Sequence, residues 1–239
     1  MIHIRQAAER GHFDHGWLDT YHTFSFADYY DPAQLGFRSL RVINDDRVAP
    51  GEGFGMHGHR DMEIVTYVLS GAVTHRDSLG TGSTIRPGEV QRMSAGKGIL
   101  HSEFNASSSE RLHLLQIWIG PASVGGSPSY QQVTIAPTAK RGRLCRIAGP
   151  AGEQAGEGVS IGQQASIDAA VLAAGERVDH ALAAGRLAYV HVIGGSLQVN
   201  GLSLQPGDGA KIADEAQLSL SATADNTEFL LFDLPPHVD

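Results

Sequence analysis

The stretch that decides the fold is Gly51-Glu-Gly-Phe-Gly-Met-His57-Gly-His59-Arg-Asp-Met-Glu63, followed by Ile64-Val-Thr-Tyr-Val-Leu69 and Gly71. Its second part is β-branched and aromatic and stops at glycine, as a buried strand does. The same frame returns later in the chain. With Gly51 set over Gly175, Gly71 falls over Gly195 without a gap. Tyr67-Val-Leu-Ser-Gly-Ala-Val73 then matches His191-Val-Ile-Gly-Gly-Ser-Leu197, and Ile85-Arg-Pro-Gly-Glu89 matches Leu204-Gln-Pro-Gly-Asp208. An internal repeat takes precedence over local propensity. The Ala-rich run from Ser166 to Arg186 would otherwise pass for a helix; the repeat predicts strand-turn-strand there. The expectation is an all-β chain of two tandem small barrels, one lobe over residues 1–125 and the other over 126–239.

Outward from the repeat, Arg38 to Val48 alternates like a strand and Leu112-His-Leu-Leu-Gln-Ile-Trp-Ile119 reads as another. The Gly/Ser/Pro-rich stretch Ala122 to Ser129 reads as the connection between halves. Trp17, Tyr21, Phe24 and Phe26 form an aromatic opening suited to capping a core. The composition agrees: 239 residues with 29 Gly and only 18% charged side chains favour short strands and tight turns over coiled coil or disorder. A formal net charge of -8 and no Lys/Arg run argue against direct nucleic-acid binding. Lys140, Arg141, Arg143 and Arg146 read as a solvated loop. The single Cys145 excludes an internal disulfide framework and fits a reducing compartment. No signal peptide or run of membrane-span length is visible. A soluble cytoplasmic protein is expected, and two lobes in one chain make a monomer the expected state.

On a strand, residues i and i+2 share a face. His57 and His59 therefore point the same way, about 7 Å apart. In a chain with 12 His that pair alone is a weak signal. Gly96-Lys-Gly98-Ile-Leu-His101-Ser-Glu103-Phe-Asn105 supplies a second i, i+2 pair, His101 and Glu103. Three imidazoles and a carboxylate suit iron(II), manganese, nickel, cobalt or copper(II), with coordination positions left for substrate and O₂. Under the repeat, His57 falls over Ala181, His59 over Ala183, Glu63 over Leu187, His101 over Leu220 and Glu103 over Ala222. The scaffold repeats and the ligands do not, which points to a metal in the first lobe. Parity places Glu63 on the ligand face as well and does not choose between Glu63 and Glu103. It also puts Gly55, Ile99 and Asn105 toward the pocket, and Phe54 and Met56 toward the core. His75 could face the pocket but is not expected to bind metal.

These two motifs resemble the paired cupin motifs. Together with Gly16 to Pro32, Ala95 to Glu103 and Leu114-Leu-Gln-Ile-Trp-Ile119, they resemble the pirin family, with bacterial pirin-like quercetin 2,3-dioxygenases nearest. The resemblance implies a bicupin (two double-stranded β-helix barrels) with one metal in the N-terminal lobe. It implies His57, His59, His101 and Glu103 as ligands, iron(II) foremost, with manganese, nickel, cobalt, copper or zinc as alternatives. Glu103 is then also the general base, and Glu63 a partner orienting a histidine. The implied activity is dioxygenation of a small aromatic substrate such as a flavonol, using O₂ and releasing CO. A redox-sensing, metal-bound co-regulator without turnover is the other reading the resemblance carries.

Overall fold

The computed structural model describes residues 1–152 and 156–236. Strands dominate; the described helical segments are the single 3-10 turns Ala7–Glu9 and Pro137–Ala139. The described strands form two seven-stranded and two four-stranded sheets. In the first lobe the large sheet runs Ser129–Thr134, Glu89–Ser94, Glu63–Ser70, Leu112–Ile119, Leu40–Val48, Leu18–His22, Gly11–Asp14, and the small sheet runs Gly53–His59, Ile99–Asn105, Val73–Asp77, Gly82–Ile85. The second lobe repeats this plan. Its small sheet is Arg177–Ala181, Gln217–Ala222, Leu197–Val199, Leu202–Leu204. Ser166–Leu172 is a strand, as the repeat requires and propensity does not. The repeat extends to the backbone: Gly71 and Gly195 take φ +76° and +74° in equivalent turns. A Cβ at Gly71 would also meet the Arg111 carbonyl oxygen at 2.9 Å.

A cut at 125/126 does not separate the sheets. Ser129–Thr134 completes the first lobe's large sheet by pairing with Glu89–Ser94. Ile2–Arg5, at the start of the chain, pairs with Gly209–Ile212 of the second lobe. Each lobe thus borrows an edge strand from the segment leading into the other, which covers an edge that would otherwise be open.

The two large sheets pack face to face. Phe24, Ile43, Val65, Leu115 and Ile117 of the first lobe share one buried cluster with Ile147, Ile167, Tyr189, Leu230 and Phe232 of the second. Each such side chain contributes about 1.5–3 kcal/mol by leaving water. A strand such as Leu40–Val48 is consequently covered on both faces: Ile43 faces the other lobe, while Val48 packs inside its own barrel. In the basic cluster Arg141 and Arg143 are exposed, as expected of a solvated loop, whereas Lys140 and Arg146 are half-buried. Lys140 Nζ donates to Glu228, which also accepts the Tyr67 hydroxyl at 2.6 Å, and Arg146 pairs with Asp168. Lys140 and Arg146 are thus held by carboxylates, of which Asp168 is buried and needs a partner.

The barrel interiors differ. The second is filled by one apolar cluster that includes Ala170, Leu220, Ala222 and Leu231. In the first, apolar packing is split between a cluster around Leu18, Val48 and Leu114 and a smaller one of Ile64, Met93, Ala95 and Ile99.

Candidate metal centre

Strand register brings the two histidine motifs together. Gly53–His59 pairs antiparallel with Ile99–Asn105, so that His57 lies opposite His101 and His59 opposite Ile99. Coordinating atoms of His57, His59 and His101 all lie within 4.8 Å of one another. The pairing then shifts: Glu103 lies opposite Phe54, three residues before His57. The histidine strand carries one extra residue, a bulge, and a bulge reverses side-chain parity beyond it. Phe54 therefore lines the cavity with His57 and His59, and Met56 is 60% exposed. Both depart from the expected core placement.

His59 and His101 are prepared as neutral donors. Burial, and then the neighbouring His57, lowers the His59 pKa to about 4. Burial, with His57, His59 and His75 beside it, lowers His101 to about 2. His57 Nδ1 donates to the Gly55 carbonyl at 2.7 Å, which leaves its Nε2 lone pair free. The Nε2 atoms of His59 and His101 approach to 2.9 Å. Two facing imidazole lone pairs at that distance repel unless a proton or a cation is shared between them, so this donor set fits a metal ion.

Glu103 is 5% exposed, and burial raises its pKa. Gln116 Nε2 donates to its Oε2 at 2.9 Å, and Thr66 Oγ1 reaches Oε1 at 3.4 Å. Gln116 Oε1 in turn accepts from Trp118 Nε1 at 3.3 Å. Glu103 groups with His101 and with His75, whose donor atoms also lie within 4.8 Å of one another. His75 is fully buried and its Nε2 bonds Asp77 at 3.0 Å.

A cavity of about 210 Å³ opens beside these residues. Phe26, Phe54 and Trp118 form aromatic walls; Asn44, Asp46 and Gln116 are polar neighbours of His57, His59 and Glu103. The aromatic opening of the chain supplies the lid: Phe26 packs edge-on against Trp118 at 5.2 Å, and Trp17 against Phe54 at 5.2 Å.

Three expected site residues lie elsewhere. Asp61, in left-handed backbone at φ +49°, turns the chain from the small sheet into the large one. Parity does not carry across that turn, and Glu63 meets Ser94 Oγ at 2.7 Å, in a pocket shared with Arg92 and Gly162. It orients no histidine among the described residues. Asn105 spends its amide on the Val48, Ala49 and Glu110 carbonyls and accepts the Ser107 N–H, pinning a loop. Ile99 packs in the apolar cluster with Ile64 and Met93. The sequence reading missed Asn44, Asp46 and Gln116 as cavity residues. Their signal was present: polar side chains inside runs that otherwise read as core strand.

Residues 3–119 match the Pirin family, and residues 147–234 match the Quercetinase C-terminal cupin domain. The chain is 47% identical to a quercetin 2,3-dioxygenase of Escherichia coli (strain K12), over 99% of this chain and 100% of that protein. A pirin-like protein of Caulobacter vibrioides is 42% identical over 98% and 99%. Among solved structures, bacterial pirin YhhW from Escherichia coli in complex with nickel(II) superposes with a TM-score of 0.93 at 47% identity, covering 99% of this chain and 100% of that one. No helix among the described residues is long and apolar enough to cross a membrane. Repeat, barrel pair, first-lobe histidine cluster and full-length similarity converge: the chain belongs to the pirin family of bicupins.

Proposed function

We propose that this chain is a metal-dependent dioxygenase that opens a flavonol such as quercetin with O₂ and releases CO. The observation that carries this reading is the clustering of His57, His59 and His101 beside a cavity that the buried Glu103 also lines and that aromatic rings wall. His57, His59, His101 and Glu103 would hold the ion, iron(II) foremost, with nickel supported by the nickel(II) complex of a 47% identical relative. A divalent ion there supplies the charge that lowers the pKa of a substrate hydroxyl, and a centre for O₂ chemistry. The protein does the rest. Phe26, Phe54 and Trp118 hold a flat ring and exclude water. The Glu103 carboxylate, held by Gln116 and Thr66, accepts the substrate hydroxyl proton. Burial makes it a stronger base than an exposed carboxylate.

The test combines elemental analysis with oxygen uptake on quercetin, using Fe, Mn, Ni, Co and Cu forms. His57→Ala and His101→Ala lose both metal and turnover. Unaltered metal content in both variants overturns the ligand assignment. Zero uptake in every metal form of the wild-type protein overturns the dioxygenase reading in favour of a metal-bound binding protein.

A further inference from the structure

The cavity holds a second carboxyl, one that the metal ligands do not use. Asp46 sits in the Leu40–Val48 strand opposite Leu114 and is 4% exposed. The Thr20 hydroxyl donates to its Oδ1, and among the described residues Thr20 is the only hydrogen-bonding partner of this carboxyl. Its side chain lines the cavity with Asn44, Gln116 and Phe26. Burial, with Asp45 and Glu103 nearby, pushes its pKa up to about 7.

The second lobe shows that the fold does not require a carboxyl at this point. There the Ser166–Leu172 strand pairs with Thr227–Leu234 as Leu40–Val48 pairs with Leu112–Ile119, and Leu172 opposite Thr227 corresponds to Val48 opposite Leu112. In that register Ala170 takes the place of Asp46, and Leu231 that of Gln116. Both are fully buried in the apolar cluster that also contains Leu220 and Ala222, the counterparts of His101 and Glu103. The polar residue at position 46 is thus lost together with the ligands, as a set. Thr20 engages only one of the two Asp46 oxygens, and the carboxyl lines the cavity, where a ligand group can meet it.

We propose that Asp46 binds the substrate, hydrogen-bonding a hydroxyl on its aromatic ring system and selecting rings that carry one there. The inference rests on the flavonol reading above and deepens it. At about 210 Å³ the cavity is smaller than the roughly 300–1,000 Å³ of sites that enclose a whole drug-sized ligand. It takes one ring system of a flavonol and leaves the remainder at the mouth. The hydroxyl that Asp46 meets is therefore on the ring system seated beside the histidines.

The experiment is anaerobic equilibrium binding to the nickel(II)-loaded protein. Its probes are quercetin and a series of flavonols that each lack one hydroxyl. Wild type is compared with Asp46→Ala, which copies the second lobe, and with Asp46→Asn, which keeps the shape; metal content is measured for each. In wild type, omission of one particular hydroxyl weakens binding about tenfold or more. In Asp46→Ala the same omission changes binding less than about twofold, the signature of a pairwise coupling. If Asp46→Ala fails to retain metal, Asp46→Asn carries the comparison, and the penalty for that omission shrinks there too. Equal penalties in wild type and variants overturn the Asp46 assignment and leave the flavonol reading standing. No binding of any member to the loaded wild-type protein overturns both.

Discussion

Gln116→Leu isolates the contact that aims Glu103. Gln116 Nε2 donates to Glu103 Oε2 at 2.9 Å between two buried side chains, and the remaining donor, Thr66, is distant at 3.4 Å. A hydrogen bond to a charged group is worth about 1.5–3 kcal/mol, and leucine keeps most of the volume while removing the donor. If Glu103 binds the ion, that energy appears in metal affinity, because an unsupported carboxylate loses both orientation and charge stabilisation. The expected loss is about 10–100-fold. The assay is competition for nickel(II) against a chromophoric chelator at fixed pH and ionic strength. Trp118→Phe is the control: it removes the Nε1 donor that reaches Gln116 Oε1 at 3.3 Å but keeps Gln116 itself, and should cost less than about threefold. Affinity of Gln116→Leu within about twofold of wild type would refute the reasoning, since a ligating carboxylate cannot lose its main donor without consequence.

Three further outcomes follow from the same structure. In metal-free protein, the Asp46 pKa is raised from 3.8 to about 7, so the folded state keeps a proton that the unfolded chain has released. Its stability contribution is full below about pH 4 and is lost as pH rises to about 7, by up to about 4 kcal/mol; urea unfolding of Asp46→Asn should show a flatter pH profile over that window, and an unchanged slope would count against a raised pKa. Gly71→Ala places a side chain in left-handed backbone and against the Arg111 carbonyl, so thermal or denaturant unfolding should show a loss of about 1–3 kcal/mol; a neutral result would contradict that turn geometry. Arg92 donates to Ser160 O at 2.7 Å across the lobes and to Ser129 and Gln131 on the exchanged edge strand, so Arg92→Met should cost about 3 kcal/mol, read by chemical denaturation, with an unaltered midpoint as the contrary finding.

Much of this protein is legible in its sequence, and the reason is locality. Two residues apart on a strand means one face, whatever surrounds the strand, so His57 with His59 and His101 with Glu103 could be paired without a structure. Matching glycines fix matching turns, so the repeat revealed two barrels and, by its apolar counterparts, which barrel holds the histidines. What required the tertiary structure is whatever depends on an interruption or on a neighbour. One extra residue between His57 and Phe54 turned Phe54 inward, and the left-handed turn at Asp61 carried Glu63 away to Arg92. Asp46 and Gln116 lie on strands covered on both sides, where a sequence cannot say which layer each residue meets. The exchange of Ile2–Arg5 and Ser129–Thr134 between sheets is likewise a matter of long-range pairing, decided by which edge is left uncovered once both barrels have closed.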